Sequence, residues 1–135
     1  MKISKENRQK LIEEIKFVIK QMKAEEDPKV KLYYFSAVYG IMHRIFNLEY
    51  NPDLVFANFV VNSTYNQINA RLQNPDKTIK IPDELFDKLV KATEELLIVI
   101  KEDKNLYKVL RKLVLLGYVT IGNGYYLYQK GLLKI

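Results

Sequence analysis

The stretch that most restricts this chain runs from Leu32 to Asp76. Across those 45 residues only His43, Arg44, Glu49, Asp53, Arg71 and Asp76 belong to the charged types. Within it Tyr33, Tyr34, Phe35, Val38, Tyr39, Ile41, Met42, Ile45 and Phe46 point in almost every direction around a helix of about residues 28–47. A helix that is apolar all round must be covered all round. In a chain of 135 residues, two or three neighbouring helices leave part of such a surface bare. A second copy would supply the missing cover, so the pattern predicts a homodimer.

The flanking segments are more ordinary. Leu11, Ile12, Ile15, Val18, Ile19 and Met22 recur at helical spacing, with Ser4 as N-cap, and predict a first helix over 4–24. Asp27-Pro28 and Asn51-Pro52 each carry the start signal of a helix, a capping side chain followed by proline at the first helical position. The third helix, about 52–73, has a core stripe of Leu54, Ala57, Val61, Ile68 and Leu72. Beside it runs a stripe of amides, Asn58, Asn62, Asn66 and Asn69, which face water, a ligand or a second subunit. Thr78-Ile79-Lys80-Ile81 alternates like a short strand. A fourth helix follows to about Lys101, led by Leu85, Leu89, Ala92, Leu96 and Val99. With 48% apolar and 28% charged residues, the whole reads as one domain, a mainly α bundle of about five helices.

Charge divides the domain in two. Residues 1–103 carry equal numbers of acidic and basic side chains and form a neutral helical body. Residues 104–135 contain Lys104, Lys108, Arg111, Lys112, Lys130 and Lys134 and no Asp or Glu, so the net charge of +6 lies entirely there. A field of one sign attracts polyanions, or serves solubility alone. On a fifth helix of about 105–116, Leu106, Val109, Leu110, Leu113 and Val114 face the core, which puts Lys104, Lys108 and Lys112 in one i,i+4 row with Arg111 beside it. Gly122-Asn123-Gly124 between Tyr118–Ile121 and Tyr125–Tyr128 is the signal of a C-terminal β-hairpin. Such a hairpin sets Tyr118, Tyr126 and Tyr128 on one face, where they could stack on bases or meet a protein partner.

Residues 106–131 resemble the end of a winged-helix DNA-binding domain, through Leu-x-x-Leu-Gly-Tyr-Val at Leu113–Val119 and Tyr-x-Leu-x-x-x-Gly at Tyr125–Gly131. The resemblance implies a recognition helix carrying Lys104, Lys108, Arg111 and Lys112 toward the major groove, with the hairpin as wing against the backbone. The expectation is a small accessory protein that binds DNA or RNA through this segment. The alternative is a homo-oligomeric assembly module with no nucleic-acid role.

Absences narrow the chemistry. The chain has no Cys and one His, which excludes disulfides, Cys nucleophiles and two-histidine metal sites. No glycine-rich phosphate loop or nucleophile elbow is present. An acid–base site would have to draw on His43, Arg44, Glu49, Asp53, Tyr39, Tyr65 or Arg71. The expected arrangement instead satisfies His43 near Asn47 and pairs Arg44 with Glu49 or Asp53. No enzyme, metal or cofactor is expected, and neither leader nor membrane span is legible, so the chain reads as cytoplasmic.

Overall fold

The computed structural model describes residues 3–48, 52–73, 82–120 and 123–134. They form six helices: α1 (Lys5–Ala24), α2 (Pro28–Asn47), α3 (Pro52–Leu72), α4 (Asp83–Lys101), α5 (Tyr107–Thr120) and α6 (Asn123–Gln129). The start signals act as their chemistry dictates. Ser4 Oγ accepts from the Asn7 amide, and Asp27 accepts from the Lys29 amide at 2.9 Å with Pro28 in the first turn of α2. The Thr78–Ile81 strand lies outside the described residues.

Packing follows a closed order. α1 touches α2, α2 touches α3, α3 touches α5, α5 touches α4, and α4 returns to α1, while α2 also reaches α4 across the ring. Chain neighbours α3 and α4 are therefore separated in space by α5. The core is built from the faces that turn inward: Leu11, Ile15, Phe35, Tyr39, Val61, Ile68, Leu89, Leu96 and Leu113 are all wholly buried. α1, α3 and α4 pack on α2, and Tyr39 also reaches α5, so the cover assigned to a second copy comes from the same chain. Tyr33 alone among the large apolar side chains of α2 stays well exposed.

The expected β-hairpin is not formed, and the C-terminal end is helical among the described residues. Two glycines explain the difference. Local pattern makes Gly117 the end of the fifth helix, but a Cβ there would stand 3.0 Å from Thr64 Cγ2, 3.3 Å from Ile68 Cδ1 and 3.3 Å from Tyr39 Oη. Its bare backbone is the surface on which α5 meets α3 and Tyr39. With Gly117 counted as a buried position, the period runs unbroken through Val109, Leu110, Leu113, Leu116, Gly117 and Thr120, so α5 continues to Thr120. The winged-helix resemblance makes Gly131 the close of the wing. It has φ +73°, and the amides of Gly131 and Leu132 bond back to the carbonyls of Tyr128 and Leu127, a Schellman-type stop for α6. The segment expected to be the wing, Tyr125–Gly131, is thus a short helix and its cap.

Candidate functional site

The basic segment begins at a sharp turn. α4 ends with Asp103 in the left-handed region (φ +53°), and the Lys104 amide bonds back to Val99 O at 3.0 Å. Arg8 of α1 holds the Asp103 carboxylate at 2.9 Å. This turn puts Lys104 before α5 instead of on its i,i+4 row. Asn105 then bonds the Tyr107 amide through its side chain at 2.9 Å and starts the helix.

The six expected cations do not form one open patch. Lys104 pairs with Glu102 at 2.6 Å, and Lys112 with both oxygens of Glu95 at 2.9 and 3.1 Å. Those carboxylates come from α4 and the turn after it, so the segment's lack of acids does not leave it unneutralised. Lys130 lies over the Tyr126 ring at 5.5 Å. Lys134 is exposed beside a shallow groove that also receives Glu84 and Lys88. Lys108 and Arg111 are exposed, and among the described residues neither has a carboxylate within ion-pair distance.

The three expected tyrosines part company. Tyr118 is exposed on α5 and Tyr126 on α6. Tyr128, two residues further round the short helix, turns inward against the core, with Lys88 of α4 over its ring at 5.1 Å. What α5 does align was not among the expected site residues in full. At about 100° per residue, Tyr107, Arg111 and Tyr118 fall within about 40° of arc on its outer side, with Lys108 at the edge of the row. Tyr107 and Tyr118 are 38% and 41% exposed. On the Lys108 side a groove of about 490 Å³ runs between α4 and α5, its lining including Ile98, Val99 and Val109.

A second surface lies on α3. Leu54, Ala57, Val61, Thr64, Ile68 and Leu72 face the core, which turns Val55, Phe56 and Phe59 outward, each 66–68% exposed. Leu48, just past the end of α2, is exposed as well. Further along the same side come Asn62, Ser63, Asn66 and Gln67, and none of these positions carries a charge. The sequence held the signal in its charge-poor stretch, but the expectation attached it to α2, whose apolar side chains are more numerous.

The amide stripe divides. Asn69 bonds the Tyr65 carbonyl, and Asn58 joins a closed triangle with Asn47 and His43. Asn47 Nδ2 stands 3.2 Å from His43 Nε2, His43 Nδ1 is 2.5 Å from Asn58 Oδ1, and Asn58 donates to Asn47 Oδ1 at 2.7 Å. The directions close only if Nε2 accepts and Nδ1 carries the proton. His43 is thus satisfied near Asn47 as expected, and the triangle ties the end of α2 to α3.

Among the described residues, those available for acid–base chemistry do not converge. Arg44, expected to pair with Glu49 or Asp53, pairs with Glu14 of α1, which packs alongside α2. The side chains of Glu49 and Asp53 lie outside the described residues. Tyr39 is wholly buried and donates to Leu113 O, and burial pushes its phenol well above its ordinary value. Among the described residues there is no cluster of three metal-ligating side chains and no helix long and apolar enough to cross a membrane. No family model, curated protein or solved structure matches the chain.

Proposed function

We propose that this protein is a non-catalytic assembly module that pairs with a second copy of itself through α3. The observation that carries the reading is the exposure of Val55, Phe56 and Phe59 on one charge-free helix face. With Leu48 these side chains offer roughly 400–500 Å² of apolar surface, at about 150–250 Å² for a fully exposed aromatic ring and less for Leu and Val. A standard interface buries about 800 Å² per partner, so four side chains supply more than half of one side.

Two features favour a second copy as the occupant. The chain carries a net charge of +6, and α3 presents a side where two copies meet without like charges. The flanking Asn62, Asn66 and Gln67 each carry both a donor and acceptors, so they can bond to their own symmetry mates, which ammonium or carboxylate groups cannot do.

Sedimentation velocity from micromolar to about 100 micromolar tests the reading. The expected species is twice 15.9 kDa, and Phe59→Glu converts it to the monomer without loss of helix content. A wild-type chain that stays at 15.9 kDa throughout refutes it.

A further inference from the structure

We propose that the outer face of α5 binds single-stranded nucleic acid, independently of any pairing through α3. Two physical requirements of such a surface occur together there. The first is cations left available for phosphate: Lys108 and Arg111 are exposed and, among the described residues, free of carboxylates, while the neighbouring Lys104 and Lys112 are taken by Glu102 and Glu95. The second is exposed aromatic side chains along the line of those cations, Tyr107 and Tyr118, on either side of Arg111.

The spacing is that of a track. Tyr107 and Arg111 stand one helical turn apart, about 6 Å, and Tyr118 lies about 10 Å beyond, at 1.5 Å per residue. Bases stack on aromatic and guanidinium faces with little regard to sequence. Beside the track, the groove of about 490 Å³ is lined by apolar Ile98, Val99 and Val109, by Lys108, and by Lys104, Lys112 and Glu95. An unstacked base can enter it while its phosphate stays at Lys108.

Magnitude decides between single strand and duplex. A duplex binder draws its affinity from about six to ten phosphate contacts, and two open cations on α5 cannot provide them. Ring stacking can supply the remainder only when bases are unpaired, because a duplex hides their faces.

The test is fluorescence anisotropy with labelled 12-nucleotide oligo-dT, oligo-U and a 12-base-pair duplex, each titrated with the full chain at 50 and 200 mM salt. The expected result is binding of one or both single strands at least tenfold tighter than the duplex. Salt dependence should be shallow, a log–log slope of about −1.4 at roughly −0.7 for each of two phosphates. Lys108→Gln with Arg111→Gln flattens that slope. Tyr107→Ala and Tyr118→Ala each weaken binding about tenfold and leave the slope unchanged. Circular dichroism of each variant confirms that it is folded. The choice between oligo-dT and oligo-U identifies the strand. Three outcomes overturn the proposal: no single-strand binding at 50 mM salt, equal or tighter binding to duplex, or affinity unaltered by the paired glutamine changes.

Discussion

Replacing Gly117 by alanine sets two effects against each other. An alanine inside a helix is favoured over glycine by about 1 kcal/mol, so on an open surface the change would stabilise α5. At Gly117 the new methyl meets Thr64 Cγ2 at 3.0 Å, Ile68 Cδ1 at 3.3 Å and Tyr39 Oη at 3.3 Å. None of these has room to give. Thr64 is fixed by its hydroxyl bond to Val60 O at 2.9 Å, Tyr39 by its bond to Leu113 O, and Ile68 is wholly buried. The helices must therefore move apart. Overpacking of this kind costs about 1–3 kcal/mol, to which the opened gap adds forfeited dispersion attraction. The net expectation is destabilisation by about 1–2 kcal/mol. At roughly 2.1 cal/mol/K per residue for 135 residues, that lowers Tm by about 4–7 °C. Gly40→Ala is the control. Its Cβ also lies 3.0 Å from a neighbour, but that neighbour is the half-buried ring of Tyr65, which can swing aside. Thermal and urea unfolding of the two variants should differ in sign or by at least about 1 kcal/mol. If Gly117→Ala raises Tm as much as Gly40→Ala does, the close approach of α5 to α3 is wrong.

Two further expectations concern single side chains. Burial holds the Tyr39 phenol neutral above its ordinary value of 10.0, so its contribution is complete below about pH 10 and is lost as pH rises, because only the unfolded chain ionises there. Wild-type stability should fall with pH above 10 about 1.4 kcal/mol per unit more steeply than that of Tyr39→Phe, as read by urea midpoints; parallel curves refute the assignment. The chain has one imidazole, so a two-bond 1H–15N spectrum at about pH 8 reports His43 alone. It should show the Nδ1–H tautomer, which Asn58→Ala releases; an Nε2–H signal in the wild type contradicts the triangle.

The helices were legible where local chemistry and tertiary demand agree. Asp27-Pro28 and the stripe Leu11–Met22 are each satisfied within their own segment, and they place α1 and the start of α2 correctly. The C-terminal end misled because glycine has two uses. Gly-Asn-Gly and Leu-Gly-Tyr-Val carry turn signals when read locally. Yet Gly117 is placed by Thr64 and Tyr39, which lie more than 50 residues away in the chain. No window of residues around it contains that information. The same limit applies to the cations: Glu95 and Glu102 lie outside the basic segment, and only the packing of α4 on α5 shows that they neutralise Lys112 and Lys104. The apolar face of α3 was visible as a lack of charge, but which helix would remain uncovered depended on the order of packing.

That order also bears on how the molecule comes together. Because α5 is inserted between two elements that precede it in the chain, Tyr39 has no carbonyl to bond and Val61 and Ile68 lack a lid until the last quarter of the polypeptide arrives. A growing chain emerging from its amino end would carry an unfinished interior for most of its synthesis. Closure then depends on the same short helix that shows its tyrosines and Arg111 to the outside.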